Sequence, residues 1–335
     1  MKKTLVAVAA VAAFAGAQAE VTLSGALDYG LTQVKTGSAS KQQYTGGDSN
    51  QFNNIRFTAG EDLGGGMKVG ATYDLGLEYS TGAGAGFTRE SHLDLSSSVG
   101  SISAGRMYTP IFLASTIDPV GLPALSIGQE ALVATWLTQS ARNVRNNGSF
   151  AYVTPSFSGF TGNYFTSASS TGAGATVGYG LKYAAGALSA EYQTQQAGDE
   201  GVAKYASDAY AGASSTFVAG TNKTKRQVGA LKYDAGVANF NYIYSSAKNN
   251  ALGITSNYIA VGAPIPGTNF NVAAGYNMGA QTLVNASATS TRGSIYRVNY
   301  GFSKRTTAYY IYGSDQSSTL SRTTTSSSFG LQHSF

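Results

Sequence analysis

The sequence contains no cysteine, which excludes a disulfide framework, a thiolate metal site and a cysteine nucleophile. Two histidines leave little room for a His-rich metal centre, so neither a metal nor a cofactor is expected. Charge is scarce as well. Asp, Glu, Lys and Arg make up 12% of residues, against about 25% in an ordinary soluble domain, which excludes a disordered chain and argues against a Lys/Glu-rich cytosolic surface. Beyond residue 20 no run of 18 apolar residues occurs, so the chain cannot cross a bilayer with helices. With 22 basic against 17 acidic residues, the positive balance is too small and too scattered to indicate a nucleic-acid partner.

What is abundant is glycine, at 42 residues, and tyrosine, at 22. That mixture suits many extended strands joined by turns. The first nineteen residues are different in kind. Lys2 and Lys3 form a basic start, Leu5 to about Phe14 an apolar stretch, and Ala17-Gln18-Ala19 a small-residue ending, the pattern of a secretory signal cleaved before Glu20. The expected organisation is therefore residues 1–19 as a signal peptide and 20–335 as one exported unit.

Strict alternation then dominates. Met67, Val69, Ala71, Tyr73, Leu75, Leu77 and Tyr79 share one face, and Lys68, Gly70, Thr72, Asp74, Gly76 and Glu78 the other. Period two over so long a stretch exceeds the usual strand of about five or six residues. Residues 21–32, 270–277 and 296–302 alternate likewise. A soluble β-sandwich also alternates, but strand length and Tyr near segment ends, as at Tyr29, Tyr79, Tyr183, Tyr276 and Tyr312, favour a barrel with lipid outside, water inside and aromatic girdles. Sixteen strands are predicted, near 21–33, 51–61, 67–79, 87–97, 101–108, 147–155, 160–167, 176–184, 187–195, 226–234, 237–245, 255–263, 268–277, 291–302, 305–314 and 324–335. Tight connections such as Gly64-Gly65-Gly66, Ala185-Gly186 and Ala235-Gly236 alternate with longer Gly/Ser/Thr-rich ones. Short periplasmic turns opposite long outer loops, with an even strand number, are the arrangement of an all-β, sixteen-stranded antiparallel transmembrane β-barrel of the bacterial outer membrane.

At the end of the chain Phe329, Leu331, His333 and Phe335 share one parity. Taken with Glu61 to Gly66 after a strand carrying Arg56, Gly105-Arg106 followed by Thr109-Pro110, and Arg145-Asn146-Asn147 leading into Tyr152 to Pro155 and Gly159-Phe160, the chain resembles the general diffusion porins of Gram-negative bacteria. The likeness is greatest to the trimeric betaproteobacterial and neisserial type, and it covers 20–335. The resemblance implies a homotrimer in contact with outer-membrane lipid and lipopolysaccharide, and a C-terminal Phe335 read by the outer-membrane assembly machinery. It implies passive diffusion of small hydrophilic solutes and inorganic ions.

One connection stands apart. Between about 109 and 146 lie three of the six prolines and the single Trp, and a structureless loop of that length needs a function. The resemblance implies that this third loop folds inward and narrows the lumen. Ile111, Phe112, Leu113, Ile117, Leu122, Leu125, Ile127, Leu132, Val133, Trp136 and Leu137 are apolar enough to pack on an inner wall, with Glu130 to Leu137 as a short helix. Asp118 and Glu130 are the candidate acidic side of the constriction. Arg56, Arg106 and Arg145 match the family's basic wall, with Arg142, Arg297, Lys68, Asp74 and Glu78 as lesser pore-lining candidates. Facing charges in a narrow, low-dielectric-walled pore order water and bias ions, and Arg stays charged at any working pH. An alternative reading makes each arginine an ordinary lumen residue satisfying Glu78, Glu90 or Asp94. Parity points Arg56 and Arg145 inward, whereas Arg106 has the parity of Ile102 and Ala104 and needs a bulge to turn it.

No enzyme is expected. His92 shares an inward face with Glu90 and Asp94 while Ser91 lies opposite, so this nucleophile and base cannot meet. Glycine strings such as Gly82 to Gly86 lack the Lys and helix of a phosphate loop. The expected activity is a water-filled pore with mild anion preference. A substrate-specific outer-membrane channel and a structural or adhesive surface barrel are the rival functions.

Overall fold

The computed structural model describes residues 20–46, 50, 52–77, 86–121, 144–168, 175–197, 202–203, 217–218, 223–283, 289–317 and 323–335. The alternating stretches form antiparallel strands: β1 (Glu20–Thr36), β2 (Ala39–Gly46), β3 (Asn54–Gly64), β4 (Met67–Gly76), β5 (Gly86–Ser97), β6 (Gly100–Tyr108), β7 (Arg145–Val153), β8 (Phe160–Ser167), β9 (Thr176–Ala185) and β10 (Leu188–Ala197). After the two-residue pair β11 (Val202–Ala203) and β12 (Phe217–Val218) come β13 (Thr224–Asp234), β14 (Asn239–Lys248), β15 (Leu252–Pro264), β16 (Phe270–Leu283), β17 (Thr289–Gly301), β18 (Thr306–Ser317) and β19 (Thr323–Ser334). A helix, α1 (Pro110–Ser115), follows β6.

Consecutive wall strands pair antiparallel, and β1 closes the ring against both β19 and β3. Of the 17 strands in this sheet, β2 is the addition: it folds back on the Tyr29–Thr36 part of β1. The other sixteen form the closed antiparallel barrel. Closure matters because lipid offers no partner to an unpaired N–H or C=O, and a ring has no edge. Between β3 and β4, Gly64, Gly65 and Gly66 take φ of 77°, 61° and 80°, a left-handed path that side chains resist. The expected tight turns all lie at one end of the barrel, together with Glu20 and Ser334.

The faces separate as the alternation predicts. Phe57, Tyr73, Leu93, Leu181, Ile259, Tyr296 and Phe329 are exposed outward, while Asp28, Thr72, Asp74, Gln193, Ser256 and Asn277 are buried inward. Near the tight-turn end, Phe160 packs on Tyr183 at 4.7 Å and Phe270 on Tyr300 at 4.9 Å, the lower aromatic band expected of a membrane boundary. Tyr79 lies outside the described residues.

Polar-inward alternation has an exception. Inward-facing Val228, Ala230, Ile243, Ile295 and Ile311 are buried in one apolar cluster with Ile111, Ala114 and Val120 from the third loop. The wall is apolar there because the loop covers it, which removes this surface from water. Leu113, expected to pack inward with its neighbours, is instead exposed, since Ile111, Phe112 and Ala114 already occupy the helix face that meets the wall.

At the seam, residues from both ends of the chain interlock. The Tyr309 hydroxyl donates to Oδ1 of buried Asp28 at 2.7 Å, and the Asn50 amide donates to Oδ2 at 2.6 Å. Tyr309 lies across Gly30 and Gly330, where any side chain would strike its hydroxyl. Gly25 and Phe335 exchange reciprocal backbone bonds of 3.1 and 3.0 Å. Tyr309→Phe is expected to cost about 1.5–3 kcal/mol, the range for a hydrogen bond to a charged group. Denaturant unfolding of the detergent-solubilised protein checks it, and an unchanged midpoint would remove Tyr309 from the closure.

Candidate functional site

Two irregularities in the sheet build the site. Between β4 and β5 the register shifts at Asp74/Gly76, so that consecutive Arg89 and Glu90 both reach inner-wall partners. Arg89 Nε donates to Asp74 Oδ2 at 3.3 Å, and Arg56 Nη1 donates to Glu90 Oε2 at 3.0 Å with Asp74 Oδ2 3.8 Å away. Asn54 also donates to Asp74, at 2.8 Å. The second shift lies between β6 and β7 at Gly105/Met107, where parity calls for a bulge beside Arg106. Arg106 Nη1 donates there to Asn147 Oδ1 at 2.5 Å, and Arg145 is near enough for the two charges to interact.

Tyr108 is the hub. Its hydroxyl accepts from Arg89 Nη2 and Arg145 Nη2, both at 2.6 Å, and the Arg145 guanidinium lies 4.3 Å from its ring centroid. The Tyr108 ring stacks on Phe112 of α1 at 4.9 Å, so the helix and the arginine group are held together. Arg89 also rests over the Phe52 ring at 4.4 Å. The result is a basic group on β3 to β7, bound on one side by Asp74 and Glu90.

The third loop leaves this group and follows the inner wall. Pro110 stands at the start of α1, and Thr109 caps it by accepting from the Phe112 amide at 3.3 Å, the role expected of Thr before Pro at a helix start. Thr109 N–H donates to Val144 O at 3.0 Å, joining the two ends of the loop. Beyond α1, Ile117 O accepts from Asn241 Nδ2 at 2.7 Å and Pro119 O accepts from Arg297 Nη2 at 2.7 Å. Pro119 lies so close over Gly262 that a Cβ there would stand 2.7 Å from it.

Asp118 therefore does not confront the arginine group. Its carboxyl is enclosed at the loop seat beside Tyr258 and Arg297, and Oδ1 accepts from the Val120 amide at 2.9 Å. Burial pushes its pKa up to about 7, although the Val120 amide, the Tyr258 hydroxyl and Arg297 all favour the ionised form. Arg297, expected to line the pore, holds the loop. Lys68 sits at the tight-turn rim, 3.9 Å from Asp62. Glu78, Glu130 and Arg142 lie outside the described residues, as does the helix expected over Glu130 to Leu137.

Sequence reasoning missed Arg89 and Tyr108. Two adjacent opposite charges, Arg89-Glu90, in an alternating strand are the signal of a bulge. His92 Nδ1 stands 3.0 Å from Asp94 Oδ2, and Ser103 Oγ donates to Asp94 Oδ1 at 2.5 Å. The hydroxyl bonds the carboxylate rather than the imidazole, so the trio lacks the contact that activates a nucleophile.

Known proteins share this architecture. The family described as Gram-negative porin matches residues 4–320. The chain is similar to the anion-selective porin from Comamonas acidovorans, with 21% identity, a TM-score of 0.76 and coverage of 95% of this chain and 100% of that one. It is also similar to a trimer form of OmpT from Vibrio cholerae (13% identity, TM-score 0.71, 95% and 99% covered) and to OmpF of Salmonella typhi in complex with daunomycin (13%, 0.70, 94% and 97%). No curated protein sequence matches the chain.

The loop seat carries a pH dependence. A free carboxyl ionises near about 4, whereas seated Asp118 does so near about 7. Between those values the seated loop retains a proton that a released one has lost, so rising pH through this window favours release. Limited proteolysis of the loop is expected to accelerate from pH 5 to pH 8 relative to a protease control, and Asp118→Asn is expected to flatten that rise. A wild-type rate independent of pH would exclude the seat as a titrating contact.

Proposed function

Because the chain belongs to the Gram-negative porin family, whose barrels lie in the outer membrane, we propose that it passes small hydrophilic solutes and inorganic ions passively, with mild preference for anions. The observation that carries this reading is the group on β3 to β7 in which Arg89 and Arg145 bond Tyr108, Arg56 and Arg89 contact the carboxylates Glu90 and Asp74, and Arg106 lies within charge range of Arg145. Four guanidiniums against three carboxylates, the third being Asp94 within charge range of Arg56, leave this part of the wall positive. Inside a low-dielectric shell that excess raises the local anion concentration and repels cations. The aqueous side of the pore permits passage, since an anion exchanges its water for guanidinium contacts without a binding step too deep to leave. The anion selectivity named for the Comamonas acidovorans porin accords with this reading.

The pairing of Arg56 with Glu90 tempers the preference and makes it mild. Asp118 and Arg297 lie beside each other at the loop seat, apart from the arginine group. Glu130 is the acidic loop residue assigned to face the arginine group. Residues 1–19 act as the cleaved export signal, the row ending in Phe335 as the assembly signal, and the barrels associate as trimers, as the Vibrio cholerae OmpT trimer does.

In planar bilayers with a salt gradient, the reversal potential is expected to carry the sign of anion preference. Arg145→Gln is expected to lower the anion-to-cation permeability ratio, and Glu90→Gln, which leaves Arg56 without its nearest carboxylate, to raise it. A cation-preferring wild type rejects the selectivity. Unchanged ratios in both variants remove the arginine group from the filter.

A further inference from the structure

Beside the arginine group on the inner wall stands a titratable side chain, His92. It lies in the middle of β5 with inward parity, since its neighbours Leu93 and Leu95 are exposed on the lipid side. Its two ring nitrogens face different carboxylates of its own strand: Nδ1 is 3.0 Å from Asp94 Oδ2, and Nε2 is 3.9 Å from Glu90 Oε1. Because the acids meet different edges of the ring, the trio does not converge on one metal ion, and among the described residues no cluster has the arrangement of a metal site. Across the sheet His92 pairs with Thr72 of β4 and Gly105 of β6, neither of them ionisable. In the next inward row Asp74 of β4 pairs with Glu90 and is engaged by Arg89 and Asn54. The guanidinium within charge range of the ring is Arg56 of β3, bonded to Glu90 Oε2.

The geometry fixes where a proton comes and goes. An ionised carboxylate only accepts hydrogen bonds. Asp94 Oδ1 already accepts from Ser103 Oγ, and Oδ2 faces His92 Nδ1, so Nδ1 carries the proton of the neutral ring. Nε2 is then a bare acceptor turned towards Glu90, and 3.9 Å leaves no hydrogen bond between them. A second proton, on Nε2, makes that contact an attraction between opposite charges. The His92 side chain keeps 11% of its surface open and that of Asp94 34%, so water of the lumen reaches the pair and can exchange protons with it.

We propose that His92 is a specificity-determining residue of the pore, whose protonation at Nε2 strengthens anion preference as the pH falls. With a neutral ring, the four guanidiniums exceed the carboxylates Asp74, Glu90 and Asp94 by one charge, and with an imidazolium the excess is two. The imidazolium also draws on Glu90, the acid that Arg56 holds from its other oxygen, so the guanidinium is less neutralised. Inside a low-dielectric shell both effects raise the local anion concentration. The proposal rests on the reading of the barrel as an ion-conducting pore and makes its ion preference follow pH.

The test records reversal potentials of the full mature protein in planar bilayers under a potassium chloride gradient, at pH 9 and at pH 5, on either side of the value near about 6.5 where an imidazole ordinarily titrates. Asp118→Asn serves as the parent throughout, because Asp118 at the loop seat also changes charge across this window. In that parent the anion-to-cation permeability ratio is expected to rise about twofold from pH 9 to pH 5. His92→Gln is expected to keep the parent's pH 9 ratio at both values and His92→Lys its pH 5 ratio, whereas His333→Gln leaves the rise intact. A rise that survives His92→Gln, or a parent ratio independent of pH, overturns the proposal. Imidazole NMR in detergent decides the matter even if a His92 variant fails to assemble: the chain has two histidines, His333→Gln identifies the other resonance, and a His92 resonance that does not move between pH 9 and pH 5 overturns the proposal. A parent that prefers cations at every pH rejects the anion reading of the pore and still leaves its difference from His92→Gln to decide this inference; a barrel without conductance overturns both.

Discussion

Everything in this protein depends on keeping the backbone hydrogen-bonded where no water can reach it. An isolated strand in lipid would strand its N–H and C=O groups at several kcal/mol each, so the chain forms a ring in which every wall strand has a neighbour on both edges. The outward and inward chemistry follows from that ring. Because a strand's side chains alternate, each strand must be apolar towards lipid and is free to be polar towards the lumen. This accounts for a sequence poor in charge yet not hydrophobic overall.

The third loop modifies the interior locally. Where α1 and residues 117–120 lie on the wall, the inward residues become apolar and small residues such as Gly262 permit close approach. On β3 to β5, away from the described part of the loop, inward residues are charged and mutually paired. The loop thus sorts the inner wall into a packed side and a charged side. Tyr108 sits at the junction, stacked on the loop helix and bonded to two arginines. Movement of the helix would therefore be felt at the guanidiniums.

The barrel was legible because its rule is simple: period two in the strands, glycine in the turns. The tight turns from Gly64-Gly65-Gly66 to Ser303-Lys304 are found where the glycines and short spacers put them. What escaped were the departures from the rule. Strand β2 carries no apolar alternation; it forms because β1 offers an edge beyond the end of its pairing with β3. Arg89 escaped because a bulge breaks parity, and parity is the means of assigning faces. Arg56 and Arg145 could be placed by parity, but Arg106 drew on likeness to a family. The turn of Asp118 towards Arg297 depends on how a loop crosses the lumen, a long-range packing outcome that no local pattern encodes.

The joint between β1 and β19 brings Ala26 against Ser334 and Thr36 against Thr324, so the first strand waits for the last. A ribosome-bound or half-exported chain has no partner for either, and both borders of the growing sheet stay open to strangers. The molecule must therefore travel unfolded and be sheltered until its final strand arrives, and a chain cut short before β19 is a template for aggregation rather than a smaller barrel.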